Sequence, residues 1–361
     1  MNNILIVING LGGGGSQKNV AFLANNFIEK GAKVYILTLI DYCDSFFYLD
    51  SRIEIIRPQS NQNGKKRNVF LWRRIIRKIS REKRITTIIA IGYRFGLLCS
   101  SVRKKERIII RGTTTKKMSF LDSFLFCFLK KRIHTIVAQT NAQKSCYPKC
   151  IRKKVKVISN PFETFANNRN IDGFFSKRII CIGRYHLQVK RQDLIINDLK
   201  DFFREHNDYC LELYGEPQID DDGSTIKKIE QIINDNGLRN NVHIHDIDKN
   251  VWDKVLPSFS FLCASTREGM PNSLIEASLR GIIPISTMWV GCDEIIQDGI
   301  TGFFENGVNH DSYYFGKILS RLINDRKLYE SISDNCSKNN NKKYDKDVIF
   351  SKWLHIVDEG V

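Results

Sequence analysis

With 361 residues, 42% of them hydrophobic, the chain is too long for one ordinary core and holds enough apolar material for two. Its net charge of +17 is unevenly distributed: residues 1–160 carry 32 Lys and Arg against 8 Asp and Glu, residues 161–361 only 24 against 31. No window offers about 18 uncharged apolar residues, and the apolar run at 4–8 is too short for a secretory leader, so neither a membrane span nor an exported protein is expected.

The run Ile-Leu-Ile-Val-Ile at 4–8, bounded by turn residues, predicts a short parallel strand buried on both faces. A loop with five glycines follows at 9–16, then a helical pattern with Val20, Leu23, Ala24 and Phe27 on one face, and a second strand at 34–39. This opening predicts a doubly wound sheet that binds ligands beyond the carboxyl ends of its strands. Further strands are predicted at 87–91, 107–110, 135–138 and 155–158, with helices between. The polar, aperiodic stretch 161–177 reads as a linker. A second strand–helix series is predicted beyond it, with strands at 178–182, 211–214, 242–244, 259–263 and 283–286 and helices at 192–203, 224–236 and 273–280. The expected domains are therefore 1–160 and 178–340, and a last helix within 341–361 is expected to return to the first. The ten cysteines, several inside apolar runs (Cys99, Cys127, Cys181, Cys263), are expected to be reduced core residues. Cys146 and Cys150 have neither redox nor zinc spacing.

The residues richest in chemistry are Glu268-Gly-Met-Pro-Asn-Ser-Leu-Ile-Glu276, two carboxylates on either side of a turn and a helix start. Gly269 and Pro271 make the turn, and free N–H groups near Asn272, Ser273 and Leu274 suit an anion. Glu276 lies too deep in the helix to cap it and sits among Leu274, Ile275 and Ala277, so it calls for a partner, which a ribose diol could supply. On these residues alone, a solvent-facing glutamate after an acidic turn remains an equal reading.

In its wider setting, from Phe261 to Ser286, the stretch resembles the E-x7-E signature of glycosyltransferase family 4, the retaining enzymes of GT-B architecture. The resemblance extends to Val290-Gly291, Glu294-Ile-Ile and Asp298-Gly-Ile-Thr-Gly302-Phe. Upstream it includes Ile182-Gly183-Arg184 with Lys190, Tyr214-Gly215-Glu-Pro217, Val157-Ile-Ser-Asn160-Pro161 and the glycine loop at Gly14-Gly15-Ser16. It implies two Rossmann-like domains facing across a cleft, closing on a nucleotide-diphosphate sugar, a UDP-sugar first among the candidates. No cofactor or metal is implied. Arg184 and Lys190 would neutralise the diphosphate, Glu268 would touch the sugar hydroxyls as a catalytic residue, and Glu276 would hold the ribose. Gly14, Gly15, Gly215 and Gly291 would let backbone approach the donor, with Gly269, Met270, Pro271, Asn272, Ser273 and Leu274 lining it. Two departures stand out: Arg191 replaces the usual glycine after Lys190, and Arg111-Gly-Thr-Thr-Thr115 replaces a histidine common in relatives. Arg111 and Thr113 are the acceptor-side candidates in its place.

The basic half completes the expectation. Arg73, Arg74, Arg77, Lys78 and Arg81 recur at helical spacing, while Lys116, Lys117 and 130–132 flank Phe120, Leu121, Phe124, Leu125, Phe126 and Phe128. The pattern fits a helix at an anionic interface and equally a core helix with charged ends. With the resemblance it implies a lipid-linked or surface-polysaccharide acceptor of O-antigen, capsule or lipopolysaccharide type. The enzyme would then work in the cytoplasm, peripherally bound to the inner membrane face. A sugar-nucleotide epimerase or phosphorylase of the same fold is the enzymatic rival. A basic nucleic-acid-binding protein is the other, although no nucleic-acid motif is present and no such partner is expected.

Overall fold

A computed structural model describes residues 2–12, 14–39, 45–57, 69–102, 105–113, 118–217, 221–248, 250–305 and 313–359; Lys116, Lys117, Thr114 and Thr115 lie outside them. The chain divides into two compact units, residues 1–161 with 346–361, and 162–345.

In the first unit β1 (Asn3–Ile8), α1 (Gly15–Glu29), β2 (Lys33–Thr38), β3 (Glu54–Ile56), α2 (Val69–Glu82) and β4 (Thr87–Ile91) are followed by α3 (Tyr93–Val102), β5 (Arg107–Arg111), α4 (Phe120–Leu129), β6 (Thr135–Ala138), α5 (Asn141–Ser145) and β7 (Val155–Val157). The seven strands form one sheet in the order β3-β2-β1-β4-β5-β6-β7, each pair parallel. The alternation along β1 explains its unbroken apolar run: Ile4, Ile6 and Ile8 enter one core layer, Leu5 and Val7 the other.

The second unit runs β8 (Arg178–Ile182), α6 (Gln192–Asp198), α7 (Lys200–Glu205), β9 (Cys210–Gly215), α8 (Ser224–Asp235), β10 (Val242–Asp246) and α9 (Val251–Lys254). It continues with β11 (Ser260–Cys263), α10 (Asn272–Leu279), β12 (Ile283–Ser286), β13 (Phe303–Phe304), α11 (Tyr314–Asn324) and α12 (Arg326–Lys343). Its sheet, β10-β9-β8-β11-β12-β13, is again parallel. Ile179 and Cys181 of β8 pack on one side, Ile180 and Ile182 on the other. Both units are thus Rossmann-like α/β domains.

The last helix, α13 (Lys346–Asp358), belongs to the first unit, where the Phe350 ring lies 5.3 Å from Phe27 and Trp353 is buried. Of residues 161–177, which read as a linker, all but Pro161 belong to the second unit. Asn170 donates to the Ser258 carbonyl (2.7 Å) and accepts from the Ser258 N–H (2.9 Å), which satisfies a buried polar side chain. The Asn/Lys run 338–343 continues α12 because small polar residues face inward: Ser337 and Asn340 are buried, and Asn341 Nδ2 donates to the Leu279 carbonyl at 2.8 Å.

One cysteine expectation is corrected. Cys127 on α4 and Cys150 form a disulfide, because the turn before β7 packs beside α4 and brings their Cα atoms to 5.9 Å. The 23-residue separation gave no hint of this proximity. Seven other described cysteines lie outside this disulfide.

Candidate active site

The carboxyl ends of β8, β9 and β11 bring together residues far apart in sequence. The Thr266 N–H donates to the Val189 carbonyl at 2.9 Å and ties the loop after β11 to the loop after β8. Across that tie Lys190 Nζ donates to Glu268 Oε1 at 2.6 Å, with only 26% and 12% of the two side chains exposed. Burial pulls the Lys190 pKa down, but the Glu268 carboxylate, helped by Cys263 and Cys181, more than reverses this and holds it above the usual lysine value. Lys190 is therefore a fixed cation, and an ammonium has three donors, of which Glu268 takes one. Its aliphatic chain runs over Gly183, where a Cβ would stand 3.5 Å from Lys190 Cε. Gly183 in turn abuts Gly215: a Cβ on Gly215 would fall 2.3 Å from the Gly183 oxygen. Arg184 is half exposed, its Nε 3.7 Å from Glu216 Oε1.

Arg191, in the usual place of a glycine, precedes α6 with φ +53° and ψ +44°. That left-handed conformation costs a non-glycine residue about 1 kcal/mol or more. The 3.5 Å ion pair of Arg191 with Asp193 is too exposed to offset it. Arg191→Gly is expected to raise the melting temperature by about 2–4 °C, read by circular dichroism; an unchanged or lower value refutes the strain.

The helix α10 points its start at the same cluster. No side chain caps it, Pro271 preceding it with φ −78°, and its first turn holds no acid. The Ser273 hydroxyl donates to the Ile182 carbonyl at 2.7 Å, so it fastens the helix to the end of β8. Met270, Pro271 and Leu274 are buried and anchor the turn. Glu276 faces α9: Trp252 Nε1 donates to its Oε2 at 3.2 Å, and the Arg280 guanidinium lies 4.6 Å over the indole. Burial lowers the Arg280 pKa, an effect the nearby Glu276 opposes. The partner that Glu276 calls for in sequence is thus partly supplied by the chain. A carboxylate has about four acceptor positions, so the indole N–H alone does not saturate it. Trp252 is the residue the sequence reading missed, since a tryptophan in a four-residue helix carries no motif. Gly291, at φ +96°, opens the tight turn 292–294.

The remaining candidates lie in the first unit. Gly14 is extended before α1 and Gly15 opens that helix, at the end of β1. Arg111 closes β5 and is 1% exposed. It donates to Asn160 Oδ1, which also accepts from Gln139 Nε2 at 3.0 Å, while Arg111 Nη1 has no hydrogen-bond partner among the described residues. Burial draws its pKa down to about 10, against the pull of Tyr147. Thr113 follows two residues on.

Residues 166–339 match the family model described as glycosyl transferases group 1, so the second unit carries a domain of that kind. An uncharacterized glycosyltransferase of Methanocaldococcus jannaschii is 29% identical over 176 residues, 44% of this chain and 41% of that protein. The capsular polysaccharide biosynthesis glycosyltransferase CapH of Staphylococcus aureus is 32% identical over 142 residues, 38% of each chain. The matched stretches thus span about two-fifths of these relatives. The crystal structure of HepE of Anabaena in complex with UDP superposes with a TM-score of 0.78 at 15% identity, covering 99% of this chain and 100% of that one. This likeness shows the fold, two Rossmann-like domains of the GT-B type.

Proposed function

We propose that the chain is a retaining glycosyltransferase of family 4. It moves a hexose or N-acetylhexosamine from a nucleotide-diphosphate sugar, a UDP-sugar first among the candidates, to a lipid-linked or surface-polysaccharide acceptor. The observation that carries the reading is the Lys190–Glu268 pair beside the uncapped start of α10. A fixed cation and a helix dipole are set where a departing diphosphate gathers charge, and a carboxylate stands beside the cation. In this reading the bond from the anomeric carbon to the diphosphate breaks, the acceptor hydroxyl bonds to that carbon on the same face, and its proton passes to the leaving phosphate oxygen. Lys190 and Arg184 receive the charge without a metal. Glu268 orients the sugar hydroxyls, and Glu276, steered by Trp252, accepts from the ribose diol. The enzyme works at the inner face of the cytoplasmic membrane.

Glu276→Ala is expected to weaken donor use by about 10²-fold, the equivalent of two charge-assisted hydrogen bonds. The test is donor-dependent release of nucleoside diphosphate in the presence of acceptor and without added metal. Unchanged kcat/KM in the variant would refute the ribose assignment, and release independent of any acceptor would refute transfer.

A further inference from the structure

Four large apolar side chains of α4 stand in solvent: Phe120 (90% exposed), Leu121 (65%), Phe124 (59%) and Phe128 (74%). The opposite side of the same helix is inserted in the core through Phe126 and Leu129. A ten-residue helix cannot cross a bilayer, and among the described residues none is long and apolar enough to do so. Exposing so much aromatic surface without a partner is unfavourable in water. The Phe120–Phe124–Phe128 spacing makes one continuous stripe.

Cations lie on the same helical layer as that stripe. The helices α2, α3 and α4 pack side by side over one core layer. Arg73 of α2 and Arg132, just past α4, both reach the Ser101 carbonyl at the end of α3, at 3.5 and 3.4 Å. Two basic segments nearly sixty residues apart are thereby drawn to one end of the layer. On α2, Arg74, Arg77, Lys78 and Arg81 are exposed, and the neighbouring Trp72, Ile76 and Ile79 are buried. At the end of α4, Lys130 and Lys131 are exposed too.

We propose that α4 and the basic face of α2 form a docking surface for an anionic lipid bilayer. Phe120, Leu121, Phe124 and Phe128 enter the acyl boundary, while the cations of α2 and of residues 130–132 meet lipid phosphates. The charge decides the occupant: each cation near an anionic surface strengthens binding by about fivefold, whereas a second copy of so basic a face would repel it. The inference deepens the transferase reading and rests on its lipid-linked acceptor, although the surface stands on its own residues.

Sedimentation of the full chain with vesicles tests it, using phosphatidylcholine alone against an equal mixture with phosphatidylglycerol. The chain is expected to pellet with the anionic vesicles, at least tenfold more weakly with neutral ones, and to be released by high salt. The triple variant Phe120→Ser, Phe124→Ser, Phe128→Ser is expected to lose tenfold or more of that binding while keeping its circular dichroism and its thermal shift with UDP-sugar. Should the triple variant misfold, Lys130→Glu with Lys131→Glu is the second probe, with the same loss expected. Equal binding to both vesicle types, or full binding by the folded variants, overturns the proposal. So does a dimer that the triple variant breaks with no vesicle binding by the original chain. A chain that pellets with anionic vesicles but answers to no nucleotide sugar leaves the docking surface standing and refutes the transferase reading.

Discussion

Lys190→Met is expected to cut sugar transfer by about 10²- to 10³-fold, the usual loss when one preorganised charge partner of a leaving group is removed. The side chain keeps its length and its packing over Gly183, so what disappears is the charge. Glu268 then loses its cation at a site only 12% exposed, which should also cost about 2–3 kcal/mol of stability, less than for a fully buried pair. The two effects separate in the double variant Lys190→Met with Glu268→Gln, which should recover most of the stability and none of the transfer. The pH dependence has a definite sign. Glu268 raises the folded-state pKa of Lys190 above its ordinary value in spite of burial, so the stabilisation is complete below about pH 10 and is lost only as the pH climbs through the raised value. The melting-temperature gap between the original chain and Lys190→Met should therefore stay flat from about pH 6 to 9. A gap that closes within that range, or a single variant with undiminished kcat/KM, refutes the fixed-cation role.

What was legible beforehand follows a physical rule. Strands such as β1, β4 and β6 announce themselves because a parallel strand covered on both sides is apolar at every position, and Thr87–Ile91 and Thr135–Ala138 are buried throughout. α12 hides its C-terminal half because Ser337 and Asn340 face inward, where hydrogen bonds replace an apolar stripe. Glu268 and Glu276 stood out as two carboxylates on either side of a turn and a helix start, and Lys190 through the family resemblance, but sequence holds no distance. The Lys190–Glu268 bond joins residues 78 positions apart, and the Trp252–Glu276 bond depends on how α9 packs beside α10. The disulfide is the same case, since its geometry belongs to the packing of α4. Arg191 shows the converse: its departure from glycine was visible in sequence, and only the backbone angle gives that departure a cost.

Gly215→Ala is expected to destabilise the second unit strongly. The added Cβ would stand 2.3 Å from the Gly183 oxygen and 3.1 Å from the Tyr185 ring, well inside contact distance. Neither neighbour can step aside cheaply. The Gly183 N–H is held by the Tyr214 carbonyl at 2.9 Å and the Tyr185 N–H by the Glu216 carbonyl at 2.9 Å, which fixes the backbone on both sides of the Gly183 oxygen. The buried Tyr185 hydroxyl lies 2.6 Å from the His245 carbonyl and 2.9 Å from the Leu213 carbonyl, which share its single donor hydrogen. Relief must therefore come from backbone movement at the end of β8, at the upper end of overpacking costs, about 3 kcal/mol. The melting temperature should fall by about 6–12 °C. Gly12→Ala, whose Cβ would meet nothing within 4 Å among the described residues, is the control and should melt with the original chain. The same movement displaces Gly183, over which the Lys190 chain lies, so the fraction that stays folded should transfer sugar about tenfold more slowly or worse. If Gly215→Ala melted together with the Gly12→Ala control, the close approach of β8 and β9 would be refuted. If it melted low but kept full kcat/KM, the link from Gly215 through Gly183 to Lys190 would fail while the packing argument stood.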